Sequence, residues 1–323
     1  YQGVKAVKLQ RQASKAQLEF VKHLKKIQQE HDFKIIYEVD DVVFREEIPD
    51  YNKFKFAFDT DEVRESVVSI MDLCDEITLT CDFMRKLFQS KLTNQNVTVI
   101  PNFVPYNWMG YLFNRKRVQT AFEKHKGKPR ILYTGSGAHY DVANKTGGKD
   151  DMSAVNHIIR KTADKYKWVF VGAYPPPLQD LVKSGKLEFY PWRSLLEYPQ
   201  FIANLDPQLM VAPLTQNNFN NSKSDIKFIE ACTLGIPCLC QDMHTYSNAP
   251  DDLKFNTPEE FEEKIDWILN WKNRKRYFQN ISMLREIGVK RFLENPENIG
   301  SHMEALTTPY GSPERKYLKQ WNP

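Results

Sequence analysis

Residues 220–240 read Asn220-Asn221-Ser222-Lys223-Ser224-Asp225-Ile226-Lys227-Phe228-Ile229-Glu230-Ala231-Cys232-Thr233-Leu234-Gly235-Ile236-Pro237-Cys238-Leu239-Cys240. We interpret them as a polar loop, a helix whose buried side carries Ile226, Ile229 and Leu234, a Gly-Ile-Pro turn that ends the helix, and a short apolar strand. Parallel α/β sheets are built from such units. The stretch therefore predicts an α/β protein.

The start of this predicted helix combines positive charge, free backbone N–H groups and one carboxylate. Hydroxyl and amide side chains can cap the helix, Lys223 and Lys227 lie in its first turns, and Glu230 follows one turn later. Cations and N–H donors bind a pyrophosphate, and a carboxylate binds a ribose diol. A capped surface helix with solvated lysines is the alternative interpretation, and the spacing alone is compatible with both.

Composition limits the class of protein. The 323 residues suffice for two domains, and 41% hydrophobic and 13% aromatic residues are typical of a folded globular protein. No run approaches the roughly 18 uninterrupted apolar residues of a membrane helix, and the first residues are no signal peptide, so we expect a soluble cytoplasmic protein without an integral membrane segment. The five cysteines form no C-x-x-C pair, which predicts reduced, mostly buried thiols.

The net charge of +4 is too small to indicate a polyanionic partner by itself, but the charge is unevenly distributed. Between positions 115 and 130, Glu123 stands against seven basic residues, namely Arg115, Lys116, Arg117, Lys124, Lys126, Lys128 and Arg130. Such a patch can hold phosphates, and a solvated linker is the alternative.

Helical and strand patterns alternate through the first part of the chain. They predict a helix over 7–30, a strand over 34–39, a helix over 61–74, a strand over 76–80, a helix over 81–90 and a strand over 96–100. Asp40 and Asp41 follow a strand at the edge where open α/β sheets bind ligands. This part lacks a Gly-rich opening turn and begins at Tyr1, so we expect one or two further βα units ahead of residue 7.

A second alternating series begins after the aromatic and basic stretch that follows Pro101 and runs to Lys128. It predicts strands over 130–134, 168–172, 187–190 and 208–212, helices near 152–166 and 194–203, and a helical remainder over 257–295. We expect a first domain over residues 1–125, a second domain over 126–305, and a C-terminal helix over 306–323 that returns to the first domain.

Two short motifs can carry chemistry. The loop Gly135-Ser136-Gly137 directly follows a strand, so its backbone N–H groups can approach a phosphate, although a plain turn is the alternative. His139 and Asp141 beside it are candidates for proton transfer, each more often structural. Neighbouring side chains on a strand point to opposite faces, so Asp40 and Asp41 would not bind one ion together, and the sequence predicts no metal site. The alternative interpretation of the two residues is a helix cap or a turn.

Four separated pieces together resemble the GT-B glycosyltransferases of the large retaining group that uses nucleotide-sugars. In chain order they are Tyr37-Glu38-Val39-Asp40-Asp41-Val42-Val43-Phe44, Val99-Ile100-Pro101-Asn102, Tyr133-Thr134-Gly135-Ser136-Gly137-Ala138-His139-Tyr140-Asp141 and Lys227-Phe228-Ile229-Glu230-Ala231-Cys232-Thr233-Leu234-Gly235-Ile236-Pro237. Their order and spacing agree from about residue 35 to 245. The resemblance implies two Rossmann-like, doubly wound domains facing across a cleft. The domain over residues 1–125 would be the acceptor side and incomplete at its N-terminus, and the domain over 126–305 would bind the nucleotide-sugar.

The resemblance also implies a donor site. Glu230 would bind the ribose, and Lys227 with the helix start would hold the diphosphate. The implied donor-binding set is Gly135, Ser136, Gly137, Ser222, Lys223, Lys227 and Glu230, and Lys145 and Lys149 are candidates for a further cation on the diphosphate. The family usually carries a first Glu eight residues before the second, where this chain has Ser222. We therefore expect the sugar, or the way in which it is bound, to differ from that of the common hexose donors.

The implied mechanism is metal-independent transfer with retention, with a nucleotide-sugar as substrate and no cofactor. Cations and helix N–H groups would stabilise the charge that builds on the leaving phosphate. Asp40, Asp41 and His139 are the candidate catalytic residues, which would orient the acceptor or the sugar.

The acceptor is less defined. The Gly-Ser-Gly-Ala-His loop and the stretch from Asn102 to Arg130 resemble T-even-type bacteriophage DNA glycosyltransferases, which implies hydroxymethylcytosine in double-stranded DNA as acceptor and the host cytoplasm as location. The candidate DNA contacts are Trp108, Arg115, Lys116 and Arg117, beside Tyr111 and Phe113. For the stretch itself, the alternative is an ordinary interdomain linker. For the acceptor, the alternative is a lipid-linked molecule or a polysaccharide. For the function, the alternative is a non-catalytic nucleotide- or DNA-binding protein on the same fold. The sequence predicts no oligomeric state.

Overall fold

The computed structural model describes residues 3–105, 108 and 115–322. Two parallel β-sheets organise this part of the chain. Buried apolar side chains form a separate core around each sheet. The predicted α/β class with two Rossmann-like halves is therefore confirmed.

The first sheet has four strands in the order β1-β2-β3-β4. These are β1 (Ala6–Gln10), β2 (Lys34–Glu38), β3 (Glu76–Leu79) and β4 (Val97–Val99). The helices between them are α1 (Lys15–Ile27), α2 (Asp61–Leu73) and α3 (Asp82–Lys91). The order along the sheet follows the order along the chain, so each helix connects neighbouring parallel strands.

The helix predicted over residues 7–30 is wrong at its start. Leu9 lies in β1 and pairs in register with Tyr37 of β2. Ser14 then caps α1: its hydroxyl accepts from the N–H of Gln17 at 3.3 Å, and the Gln17 side chain accepts from the N–H of Ser14 at 2.7 Å. This capping box begins the helix at a defined residue, which a hydrophobic pattern alone does not reveal.

The second sheet has six strands in the order β10-β9-β8-β5-β6-β7. They are β5 (Arg130–Gly135), β6 (Lys167–Gly172), β7 (Leu187–Tyr190), β8 (Leu209–Ala212), β9 (Cys238–Gln241) and β10 (Lys254–Phe255). The helices of this part are α4 (Arg115–Lys124), α5 (Asn156–Thr162), α6 (Gln179–Lys183), α7 (Tyr198–Asn204), α8 (Asn218–Asn221), α9 (Ile226–Leu234), α10 (Pro258–Leu269), α11 (Arg274–Lys290) and α12 (Pro296–Thr307).

The stretch 220–240 folds as the sequence predicts, with one correction. Gly235 adopts a left-handed conformation with a φ of 68° and ends α9, and β9 follows. Lys223, predicted in the first turn of this helix, instead precedes it. Asn217 caps the separate short helix α8 by accepting from the N–H of Asn220 at 2.7 Å, so the chain must turn again before α9 begins.

The C-terminal segment lies against the first sheet. The guanidinium of Arg315 bonds the buried Glu76 of β3 at 2.8 Å, and Asn322 bonds the backbone N–H and carbonyl of Val99 in β4 at 2.7 and 3.0 Å. Only a short 3-10 turn, Leu318–Gln320, occupies the described part of the predicted helix beyond α12. The predicted domain boundaries stay predictions. No helix among the described residues is long and apolar enough to cross a bilayer.

Candidate active site

The residues singled out by the sequence meet at the carboxyl ends of the strands, where parallel α/β sheets bind ligands. Asp40 and Asp41 follow β2 of the first sheet, and His139 follows β5 of the second. Lys223 precedes α9, and Lys227 lies in the first turn of that helix. The site therefore draws on loops from both sheets.

Two lysines and one carboxylate surround His139. Lys227 Nζ lies 3.3 Å from His139 Nε2, and Lys223 Nζ lies 3.4 Å from His139 Nδ1. Asp151 Oδ2 lies 2.7 Å from the same Nδ1 and 3.6 Å from Lys223 Nζ. Two ammonium groups thus stand against one carboxylate, which leaves a positive site at the start of a helix, suited to an anion.

The histidine in this cluster is neutral near pH 7. Burial, together with the charges of Lys223 and Lys227, lowers the pKa of His139 to about 3. We assign its ring proton to Nδ1, where Asp151 accepts it, so the lone pair of Nε2 faces the ammonium of Lys227. Burial and the charge of Lys223 lower the pKa of Lys227 to about 8, so Lys227 remains mostly protonated at neutral pH.

Asp151 is held by partners from three segments. Tyr51 donates its hydroxyl to Oδ1 at 2.7 Å, the Asn220 side chain donates at 2.6 Å, and the N–H of Thr215 donates at 3.0 Å. Burial raises the pKa of Asp151, but the Lys223 charge and the His139 hydrogen bond outweigh it and hold that pKa well below the usual range. Asp151 is therefore a buried, ionised carboxylate that fixes the imidazole.

Glu230 occupies a different environment one turn along α9. Tyr198 donates its hydroxyl to Glu230 Oε2 at 3.2 Å, and the ring of Trp108 packs edge-on against that of Tyr198 at 5.7 Å between centroids. Burial raises the pKa of Glu230 to about 7, although the Tyr198 hydrogen bond and the charge of Lys227 act in the opposite direction. The carboxylate can accept hydroxyl groups of a ribose when it is ionised.

The glycine loop leaves bare backbone beside the cluster. Gly135 pairs in register with Gly172 of β6. A Cβ added to Gly172 would lie 2.5 Å from the Gly135 carbonyl oxygen, so the two strand ends approach closely. Ser136 accepts the N–H of Ala138 at 3.2 Å with its hydroxyl, which shapes the turn before His139. Gly137 faces Lys53, whose Nζ lies 3.8 Å from the place of a Cβ. The position agrees with the predicted approach of this loop to phosphates, which stays a prediction.

Three other predicted donor residues lie less favourably. The Ser222 side chain is buried, and its hydroxyl donates to the Asn218 carbonyl at 2.8 Å, a geometry that does not support the predicted contact with a sugar. Lys145 and Lys149 are exposed on a loop that Asp141 closes by accepting the N–H groups of residues 145, 146 and 148. Asp141 therefore shapes this loop, and the diphosphate contacts of the two lysines stay predictions.

Asp40 and Asp41 share one cation that the sequence does not indicate. Arg11 Nη2 lies 2.7 Å from a carboxylate oxygen of Asp40 and 2.6 Å from one of Asp41. Arg11 adopts a left-handed φ of 51°, directly after β1. Among the described residues, no group of three or more His, Cys, Asp or Glu side chains could hold a metal ion. The two carboxylates face an arginine, and their catalytic role stays a prediction.

Two of the candidate DNA contacts are occupied within the protein. Trp108 is buried against Tyr198, and Arg117 donates to the carbonyls of Ala203 and Leu234 at 2.9 Å each. Lys116 is exposed on α4. The side chain of Arg115, and Tyr111 and Phe113, lie outside the described residues. The structure thus turns Trp108 and Arg117 toward the second core rather than toward a polymer.

Asp151, Tyr51 and Arg11 are the site residues that the sequence does not single out. Asp151 lies twelve positions beyond His139, after a polar insert. Tyr51 lies between the strand predicted over 34–39 and the helix predicted over 61–74, and Arg11 lies in the helix predicted over 7–30. The contact of Tyr51 with Asp151 depends on how the two halves of the chain pack, and that of Arg11 with Asp40 and Asp41 on the pairing of β1 with β2. A linear pattern carries neither kind of information.

Comparisons with known proteins support the architecture. The solved structure of sucrose-phosphate synthase from Thermosynechococcus elongatus is similar with a TM-score of 0.62 at 14% identity, covering 94% of this chain and 73% of that one. HepE from Anabaena, in complex with UDP, gives 0.59 at 13% identity, covering 92% and 85%. The apo structure of OtsA gives 0.58 at 11% identity, covering 95% and 74%.

The fold is the GT-B fold. The GT-B fold predicted from the four motifs is thereby confirmed. Neither protein-family models nor curated proteins show a match to this sequence. Because the identities are 14% or lower, the likeness carries the architecture and not the activity.

Proposed function

We propose that this protein transfers a glycosyl group from a nucleotide-sugar to a hydroxyl acceptor, with retention of configuration and without a metal ion. The observation that carries the proposal is the cluster of Lys223, Lys227 and His139 at the start of α9, with Glu230 one turn further on. One HepE structure, similar at a TM-score of 0.58, is a complex with UDP-glucose, so a uridine diphosphate sugar is the first donor to test.

The start of α9 can accept a diphosphate. Asp225 precedes the helix but makes no side-chain cap, because both of its carboxylate oxygens bond Arg291 at 2.9 Å. The helix start is thus left to an incoming anion, which the neighbouring ammonium groups of Lys223 and Lys227 also attract. When the sugar departs, negative charge builds on the leaving phosphate, and these fixed cations stabilise it.

Neutral His139 suits a position between these cations. Its imidazole adds no third positive charge, and its hydrogen bond with Asp151 holds the ring in place. The ammonium of Lys227, which lies beside His139 Nε2, can therefore bind a phosphate without being repelled by a charged imidazole. Asp40 and Asp41, whose carboxylates both pair with Arg11, would meet the acceptor hydroxyl in this proposal.

The donor site is tested by calorimetric titration with UDP and with uridine. We expect UDP to bind more tightly than uridine, and Lys227→Gln to remove most of that difference because the variant lacks a phosphate contact. Lys124→Gln is the matched control, since Lys124 is an exposed lysine of α4 that pairs with Asp206. Equal affinities of the wild-type protein for UDP and uridine would rule out the diphosphate site.

Transfer is tested with UDP-glucose in the presence of a chelator. Release of UDP under these conditions supports metal-independent chemistry, and nuclear magnetic resonance of the glycosyl product reads the anomeric configuration. A product of inverted configuration contradicts retention. If the protein binds UDP but releases none from UDP-glucose, the non-catalytic alternative is favoured.

Hydroxymethylcytosine in DNA is the acceptor proposed from the sequence, and a lipid-linked or polysaccharide hydroxyl is the alternative. Because Trp108 is buried and the Arg117 guanidinium is bonded to backbone carbonyls, DNA would have to contact another surface, for example through the exposed Lys116. An increase in the mass of hydroxymethylated DNA bases after incubation with the donor supports the DNA acceptor. No increase with any nucleotide-sugar contradicts it.

A further inference from the structure

Two segments from opposite sides of the site interlock. Tyr51 lies between β2 and α2 on the side of the first sheet, and Asn220 ends its side chain on the Tyr51 hydroxyl at 3.0 Å. Phe219, next to Asn220 in α8, packs into the core of the first sheet, although α8 belongs to the connection between β8 and β9. Asn218 adds a bond to Glu47 at 3.0 Å.

This interlock reaches the cluster of Lys223, Lys227 and His139 through Asp151. The Tyr51 hydroxyl donates to Asp151 Oδ1, while Oδ2 of the same carboxylate holds His139 Nδ1. Tyr51 and Asn220 are both buried, with 6% and 0% of their surface exposed. A continuous set of contacts therefore runs from the first sheet through the buried Asp151 and the part-buried His139 to Lys227.

We propose that Tyr51 and Asp151 are positioning residues that make the phosphate-binding geometry of Lys223 and Lys227 depend on docking of the loop between β2 and α2. The inference rests on the proposed function, because the ligand of the two lysines is taken to be the diphosphate of a donor. Tyr51 touches no reacting atom in this scheme. It acts on Asp151, which in turn acts on His139 and Lys223.

The physical reason is the distribution of hydrogen bonds on one buried carboxylate. With Tyr51 docked, Asp151 Oδ1 accepts three donors, so the other oxygen is directed at His139. Without the Tyr51 hydroxyl, the carboxylate can rotate toward the two ammonium groups, and His139 loses its fixed orientation. The lysines would then bind Asp151 in place of a phosphate.

Coupling of this kind is reciprocal. If docking of the loop favours diphosphate binding, then a bound diphosphate favours docking by the same factor. UDP should therefore slow backbone hydrogen exchange in residues 45–58, while uridine, which has no phosphate, should not.

The test compares Tyr51→Phe with Tyr277→Phe. Each variant removes one buried hydroxyl, but Tyr277 donates to the Gln208 carbonyl at 2.8 Å within the core of the second sheet. We expect Tyr51→Phe to weaken UDP by about tenfold, as the loss of a hydrogen bond to a charged group does, and to leave uridine unchanged. Tyr277→Phe should lower the melting temperature, because a buried hydrogen bond to a carbonyl is lost. It should change the affinity for UDP and for uridine by no more than about twofold.

Asp151→Asn keeps the shape of the side chain and supplies a second variant. It should weaken UDP relative to uridine as well, and neither variant at the Tyr51–Asp151 bond should show protection of residues 45–58 by UDP. An unchanged ratio of UDP to uridine affinity in Tyr51→Phe overturns the inference, even where hydrogen exchange in the loop rises. Failure of wild-type protein to prefer UDP over uridine overturns the proposed function itself, so the two failures are distinguished by which protein shows them.

Discussion

Arg291 and Asp225 form a buried bidentate ion pair, with both oxygen–nitrogen distances at 2.9 Å. The same guanidinium donates to the Asn102 carbonyl at 2.6 and 3.2 Å. Asn102 in turn bonds the Ser224 hydroxyl at 2.8 Å. The pair therefore ties Asp225, the residue before α9, to the chain that leaves β4.

Replacement of Arg291 by Met is expected to destabilise the protein by about 3–5 kcal/mol, because it leaves the Asp225 carboxylate buried without its partner. Denaturant unfolding of wild type and variant measures the difference. Arg276→Met is the matched control, since Arg276 pairs with Asp252 on the surface with 53% of its side chain exposed, and should cost no more than about 1 kcal/mol. Equal costs at the two sites would show that the buried pair contributes no more than a surface one.

Much of this architecture is predictable because it is local. The βα alternation, the end of α9 at Gly235 and the loop at Gly135 follow from periodicity and from residues with particular backbone preferences. The first strand is missed because β1 spans five residues before a capped helix, and a helical pattern absorbs so short an apolar segment.

The site is only partly predictable, for a different reason. Lys227 and Glu230 lie one turn apart on a helix, so their proximity can be read from spacing. The contact of Asp151 with Tyr51 joins residues 100 positions apart and exists only after both sheets have formed. The burial of Trp108 also depends on packing, because its ring meets Tyr198 of α7, which lies far along the chain.

Glu230→Ala is expected to weaken UDP binding by about 1–3 kcal/mol, since the ribose hydroxyls lose a charged acceptor. Calorimetry with UDP and with inorganic pyrophosphate separates the contributions, because pyrophosphate has no ribose and its affinity should not fall. Glu188→Ala, at a carboxylate that pairs with Arg130 away from the cluster, is the control. Unchanged UDP affinity in Glu230→Ala would remove this residue from the site.

Stability should depend on pH through Glu230. Its pKa is raised by burial from an ordinary 4.5 to about 7, so the folded state holds the proton more tightly than the unfolded state. Its favourable contribution is complete below pH 4.5 and is lost as the pH rises to 7. Because the side chain is partly accessible, we expect a loss of about 1–2 kcal/mol.

Glu230→Gln cannot titrate and provides the comparison for this pH dependence. Unfolding free energies measured at pH 4.5 and pH 7, the two ends of the window set by the two pKa values, should fall more for wild type than for Glu230→Gln. Parallel changes in the two proteins would mean that Glu230 titrates normally.

Gly172→Ala is expected to destabilise the protein by at least about 1–3 kcal/mol, the range for a backbone held in a disfavoured conformation. Gly172 has a φ of 97°, and its added Cβ would stand 2.5 Å from the Gly135 carbonyl oxygen and 2.9 Å from the Trp192 ring. Gly185→Ala is the matched control, with a φ of 72° and nothing within 4 Å of the new Cβ. Its cost should reflect the backbone alone, so the excess at Gly172 in denaturant unfolding measures the close packing of β5 and β6 at the edge of the site. If both variants lose the same stability, the contact between the two strand ends is relieved at no cost, and the glycine is required only for its φ.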